Sequence, residues 1–132
     1  MRHTFLICLF TGLLFAGGAI AVDFATAYAA YESGDYRRAY KGLRHLAVKE
    51  HVQAQYLLGL LYMDGQGVTK DTGQGISWLK QAAQGGSYLA AAELGQIYAT
   101  GKGVKQDASE AAKWIELSTQ LAEDEDADEG CD

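Results

Sequence analysis

At 132 residues the chain supports one domain at most. It carries 11 Lys and Arg against 17 Asp and Glu, a formal charge of −6 at pH 7, with no proline. That balance leaves no electrostatic reason to bind a nucleic-acid backbone.

The first 21 residues stand apart. Met1, Arg2 and His3 form a positive start, Thr4–Phe15 is an apolar run, and Ala19-Ile20-Ala21 is a small-x-small cleavage pattern. The run is short for a permanent membrane anchor. The pattern predicts a cleaved signal peptide over 1–21, with Val22 as the new N-terminus and a periplasmic or secreted location. No cysteine follows a lipobox-like pair, so lipid anchoring is not indicated. Cys8 leaves with the leader and Cys131 remains alone, so no intramolecular disulfide is expected. The body Val22–Ala122 balances 10 acids with 10 bases, and the surplus lies in the tail 123–132, with seven Asp and Glu. Such a tail has too much charge and too little apolar surface to fold alone and is expected to be disordered.

Residues 22–50 read as one shortened helix hairpin, with a helix near Phe24–Ser33, a turn at Gly34-Asp35 and a helix near Asp35–Lys49. Two full units follow over 51–86 and 87–122, and they share one pattern 36 residues apart. The matched pairs include Ala54/Ala90, Leu58/Leu94, Gly59/Gly95, Tyr62/Tyr98, Gly65/Gly101, Gly67/Gly103, Val68/Val104, Asp71/Asp107 and Trp78/Trp114. A fixed period of this size signals stacked supersecondary units. Ala54, Leu58, Gly59 and Tyr62 form one helical stripe. Glycine inside a helix costs about 0.5–1 kcal/mol against alanine, so Gly59 and Gly95 imply close approach of a neighbouring helix. Gly65 and Gly101 suit helix C-termini, and Asp71 and Asp107 suit the N-caps of the next helices. The second helix of each unit is expected to bury Ile76, Leu79, Ala82 and Ala83, or Ala111, Ala112 and Ile115, with Trp78 and Trp114 as wedges. Ser118, Thr119 and Gln120 give the last helix the polar face of a terminal repeat.

These residues, with Ala82, Ala83 and Gly85, resemble the Sel-1-like repeat family, relatives of the tetratricopeptide repeats. Gly75 stands where the third expected alanine, Ala111 in the other copy, should be. The resemblance implies an all-α, short right-handed solenoid of three helix hairpins, with the first helix of each pair lining a concave protein-binding face.

Catalytic and cofactor signatures are missing. Gly65-Gln66-Gly67 is followed by Lys70 where a dinucleotide fingerprint needs glycine, and Lys102 is followed by Gly103 rather than Ser or Thr. His45 and His51 sit six apart, on opposite sides of a continuous helix, with no metal-ligand pattern. No enzyme activity, cofactor or metal is expected. The candidate binding residues are those of the first helices outside the shared stripe: Leu57, Leu60 and Asp64 in one unit, Glu93, Gln96 and Thr100 in the other. Leu57 and Leu60 alternatively cover the short first hairpin as core. Arg37, Arg38, Lys41, Arg44 and Lys49 form a basic helix, either a solvated face or a dock for an acidic patch, which allows weak self-association through the acidic tail. The resemblance implies an adaptor or assembly factor acting on another protein, without nucleic acid or a small-molecule cofactor. The alternative it offers is a periplasmic immunity protein that neutralises a secreted phospholipase effector.

Overall fold

Three aspartates at a spacing of 36 set the architecture. Asp35, Asp71 and Asp107 each accept a backbone N–H with a side-chain oxygen at the start of a helix: Arg38 at 3.3 Å, Gln74 at 3.0 Å, and Ser109 and Glu110 at 3.0 Å. Each cap satisfies donors that a helix cannot satisfy itself. The computed structural model describes residues 23–128. The helices are α1 Phe24–Glu32, α2 Tyr36–Ala47, α3 Val52–Asp64, α4 Thr72–Gln84, α5 Tyr88–Thr100 and α6 Ala108–Asp128. Among the described residues there is no strand. Each helix packs on its sequence neighbours, giving three hairpins in series, an all-α solenoid. No helix among the described residues is long and apolar enough to cross a membrane.

The first helices of the hairpins begin differently. Asp23, His51 and Ser87 are their N-caps, and the His51 Nδ1 accepts from the Ala54 N–H at 3.3 Å. His45 and His51 therefore do not share a helix, because the turn at 48–50 separates α2 from α3. Lys49 likewise falls in that turn rather than on the basic helix.

The core lies between successive helices. Leu43, Leu58, Leu61, Leu79, Leu94 and Ile97 are fully buried, each contributing about 1.5–3 kcal/mol by leaving water. The repeated glycine at 59 and 95 does what its position in a helix implied. A Cβ on Gly59 would lie 2.8 Å from Leu79 Cγ, and one on Gly95 would lie 2.7 Å from Ile115 Cγ1. The loop glycines make a second periodic contact. Gly67 lies against the backbone of Tyr36, and Gly103 lies against the side chain of Thr72. In both cases a loop touches the first residue of α2 or α4, the second helix of the hairpin before.

Gly75 departs from the repeat for a local reason. A Cβ there would meet Met63 Cγ and Sδ at 2.7 Å. The third hairpin has Ala111 at the matching place and Ala99 in place of Met63. Volume moved from one helix to the other.

Two expectations about α6 fail. Ala112 is exposed and Ile115 is 51% exposed, although Ala111 is buried. Ile115 matches Leu79, but Leu79 is sealed by α5, whereas α6 is the last helix among the described residues. The tail is also helical as far as Asp128, against the expectation of disorder from Glu123 onward. Leu117 and Leu121 pack on the second core cluster, and extending a helix already nucleated is far easier than starting one. Residues 129–132, including Cys131, and residues 1–22, with the predicted leader 1–21, lie outside the described residues.

Candidate functional site

Helices α1, α3 and α5 share a face lined with phenols and carboxylates. Tyr31 of α1 is half-buried; burial first, then Tyr36, Asp64, Glu32 and Tyr28, raise its pKa above the ordinary value. Tyr56 of α3 is raised first by burial and then by Glu93, Tyr31 and Tyr88. Tyr31 packs on the first core cluster and Tyr56 on both; with Tyr28, Asp64, Tyr88 and Glu93 near enough to act on them, they make a strip drawn from three helices. Tyr28 is 42% exposed and Tyr88 36% exposed, so the strip presents aromatic surface to solvent. Such side chains combine a large apolar area with a hydrogen-bonding tip, the composition of protein interfaces.

The candidate residues divide. Asp64 is exposed and pairs with Lys102 at 3.7 Å, joining α3 to the loop after α5; an exposed pair of this kind adds little stability. Glu93 is half-buried beside Tyr56, and Gln96 and Thr100 are exposed. The Thr100 hydroxyl donates to the Gln96 carbonyl at 2.8 Å. Leu57 does not belong with them. It is buried in the core cluster with Ala27, Ala30, Ala39 and Leu43, because the short first hairpin covers it. Leu60 is half-buried and packs against both core clusters.

Tyr56 and Tyr88 are missing from the candidates that the sequence supplies. Their signal lies in the rule that picks the others: Ala92 stands 36 residues after Tyr56 and Val52 stands 36 before Tyr88. At Tyr56 and Tyr88 the strip uses positions that the two full repeats do not share.

The repeat residues fill structural places. Tyr62 and Tyr40 meet hydroxyl to hydroxyl at 3.0 Å, and the Lys80 ammonium lies 5.5 Å from the centre of the Tyr98 ring. Trp78 and Trp114 are half-buried against the first and second core clusters. Gly65 and Gly101 close α3 and α5 in the left-handed conformation.

A cleft of about 400 Å³ opens where α3 and α5 begin, lined by His51, Val52, Ser87, Tyr88, Leu89 and Glu125 among others. His51 is already committed there: its Nδ1 caps α3 and its ring stacks on Phe24 at 4.6 Å. Among the described residues no group of three or more His, Cys, Asp or Glu is arranged to hold a metal ion.

The Sel1 repeat family profile matches residues 52–87 and 89–122, more than half the chain. A Sel1 repeat protein from Oxalobacter formigenes superimposes with a TM-score of 0.66 at 34% identity, over 72% of this chain and 40% of its own. The protein c5321, a protective antigen of uropathogenic Escherichia coli with the SLR fold, gives 0.61 at 35% identity, over 71% and 22%. The chain thus spans less than half of either relative. No match was found among curated proteins. The α1–α2 hairpin lies outside the matched segments, yet its Asp35 cap keeps the period. The chain belongs to the Sel1 repeat family, whose members are generally non-enzymatic helical scaffolds that mediate protein–protein interaction.

Proposed function

We propose that this chain is an exported adaptor or assembly factor of a bacterial envelope that grips another protein across α1, α3 and α5. The strip of exposed Tyr28 and Tyr88 and half-buried Tyr31 and Tyr56, with Asp64 and Glu93 beside it, carries the reading. It is aromatic and partly exposed, and it crosses three repeats, so one partner segment can span the solenoid. The apolar run Thr4–Phe15 with Ala19-Ile20-Ala21 supports export.

The test is a pull-down from the native envelope with the wild type, with Tyr56→Ala/Glu93→Lys, and with the second-helix variant Lys41→Glu. The proposal expects a partner that the strip variant loses and the Lys41 variant keeps. Equal recovery by all three sinks it. N-terminal sequencing of the envelope form checks export, with Val22 as the expected first residue. Rescue of cells that express a phospholipase effector in the periplasm would instead favour an immunity role.

A further inference from the structure

Among the described residues two helix faces are left uncovered, and they are complementary. On α2, Arg37, Lys41 and Arg44 are exposed, followed by Val48 at 62% exposure. Tyr40, Lys41, Arg44, His45 and Val48 line a shallow groove of about 360 Å³. On α6, Ile115 is 51% exposed and is followed on the same side by Glu116, Glu123 and Asp126, all exposed. Among the described residues the only ion pairs are Lys102–Asp64 and Lys113–Glu110, so none of these charges is matched among them.

We propose that α6 of one copy docks antiparallel on α2 of a second copy. The spacings argue for that occupant. Arg37 precedes Val48 by 11 positions, and Asp126 follows Ile115 by 11, about 16 Å in each helix. Antiparallel alignment sets Ile115 against Val48, Glu123 near Lys41 and Asp126 near Arg37, with Glu116 and Thr119 beside Arg44. An apolar contact sits at one end and charge pairs occupy the rest. The contact differs on its two sides, so each copy offers both halves and copies join reciprocally or in series. The interface is distinct from the tyrosine strip and leaves it open.

Sedimentation of the full mature chain tests this at about 20 mM and about 500 mM salt, where the screening length falls severalfold. Association at low salt that weakens at high salt is expected. Lys41→Glu/Arg44→Glu and, separately, Glu116→Lys/Glu123→Lys should each weaken it about tenfold or more, since like charges then face each other. Mixing the two variants should restore association, because each supplies the sign the other lacks. Far-UV circular dichroism confirms that both are folded. A wild type that stays monomeric at low salt overturns the proposal, as do variants that associate normally or a mixture that does not recover. Binding of the α2 face to anionic phospholipid vesicles by a monomeric chain would overturn it too, giving that face to a membrane.

Discussion

The hydroxyls of Tyr40 and Tyr62 lie 3.0 Å apart, with their rings edge to face at 85° and 5.8 Å between centres. The pair ties α2 of the first hairpin to α3 of the second. The Tyr40 hydrogen bond first, then burial and the Tyr40 charge, push the Tyr62 phenol from 10 up to about 12, against a lowering by Arg44. A folded-state pKa above the unfolded value means stability that is full below pH 10 and lost as pH rises toward 12. Ultraviolet titration at alkaline pH should show one phenol later than the others, absent in Tyr62→Phe and shifted toward 10 in Tyr40→Phe. An unchanged titration in Tyr40→Phe would remove the hydrogen bond as the cause.

Asp23 shows the opposite sign. Hydrogen bonds from Thr26 hold its carboxyl below the usual range, the Thr26 backbone N–H donating at 2.8 Å. The folded pKa is depressed, so the cap stabilises α1 above the unfolded carboxyl range and is lost as pH falls through the folded value. Amide exchange at Thr26 should speed up on acidification in the wild type. In Asp23→Asn, which caps without titrating, that acid step should disappear.

Glu50 occupies the left-handed region at φ 63°, where the matching residue of the next turn is Gly86 at φ 101°. A side chain there costs roughly 1–2 kcal/mol. Glu50→Gly should therefore raise the unfolding free energy by about 1 kcal/mol in urea, after the extra chain entropy of glycine is subtracted. A lower urea midpoint would show that Glu50 makes a compensating contact.

Gly75→Ala alone should cost about 1–3 kcal/mol, because Met63 must move. Met63→Ala alone should cost about 2–5 kcal/mol through the cavity left behind. The double substitution reproduces the Ala99/Ala111 pair of the third hairpin and should cost less than the sum by about 1 kcal/mol or more. Strict additivity in urea unfolding would refute the exchange of volume between α3 and α4.

The 36-residue period makes the hairpins, their aspartate caps and their close glycines legible, because those features depend only on neighbours within the same repeat. Leu57 escapes the pattern because its surroundings depend on the shortened hairpin before it, which a comparison of two full copies leaves out. Ile115 escapes it for the mirror reason: Leu79 is buried by the helix after its own, and the last helix has no successor among the described residues. Charge counting treats the tail as an isolated segment, whereas Leu117 and Leu121 anchor the helix that carries it. The tyrosine strip requires three dimensions, since Tyr31, Tyr56 and Tyr88 come from three helices and share no motif.

The contacts of Gly67 with Tyr36 and of Gly103 with Thr72 work as a ruler. Each loop measures its place from the first residue of the second helix in the hairpin before, so the rise from one hairpin to the next is set locally. The next mark on that ruler is Ala108, 36 residues beyond Thr72. A duplicated 51–86 segment inserted after Gly86 would meet the same marks and lengthen the solenoid by one unit without disturbing its flanks.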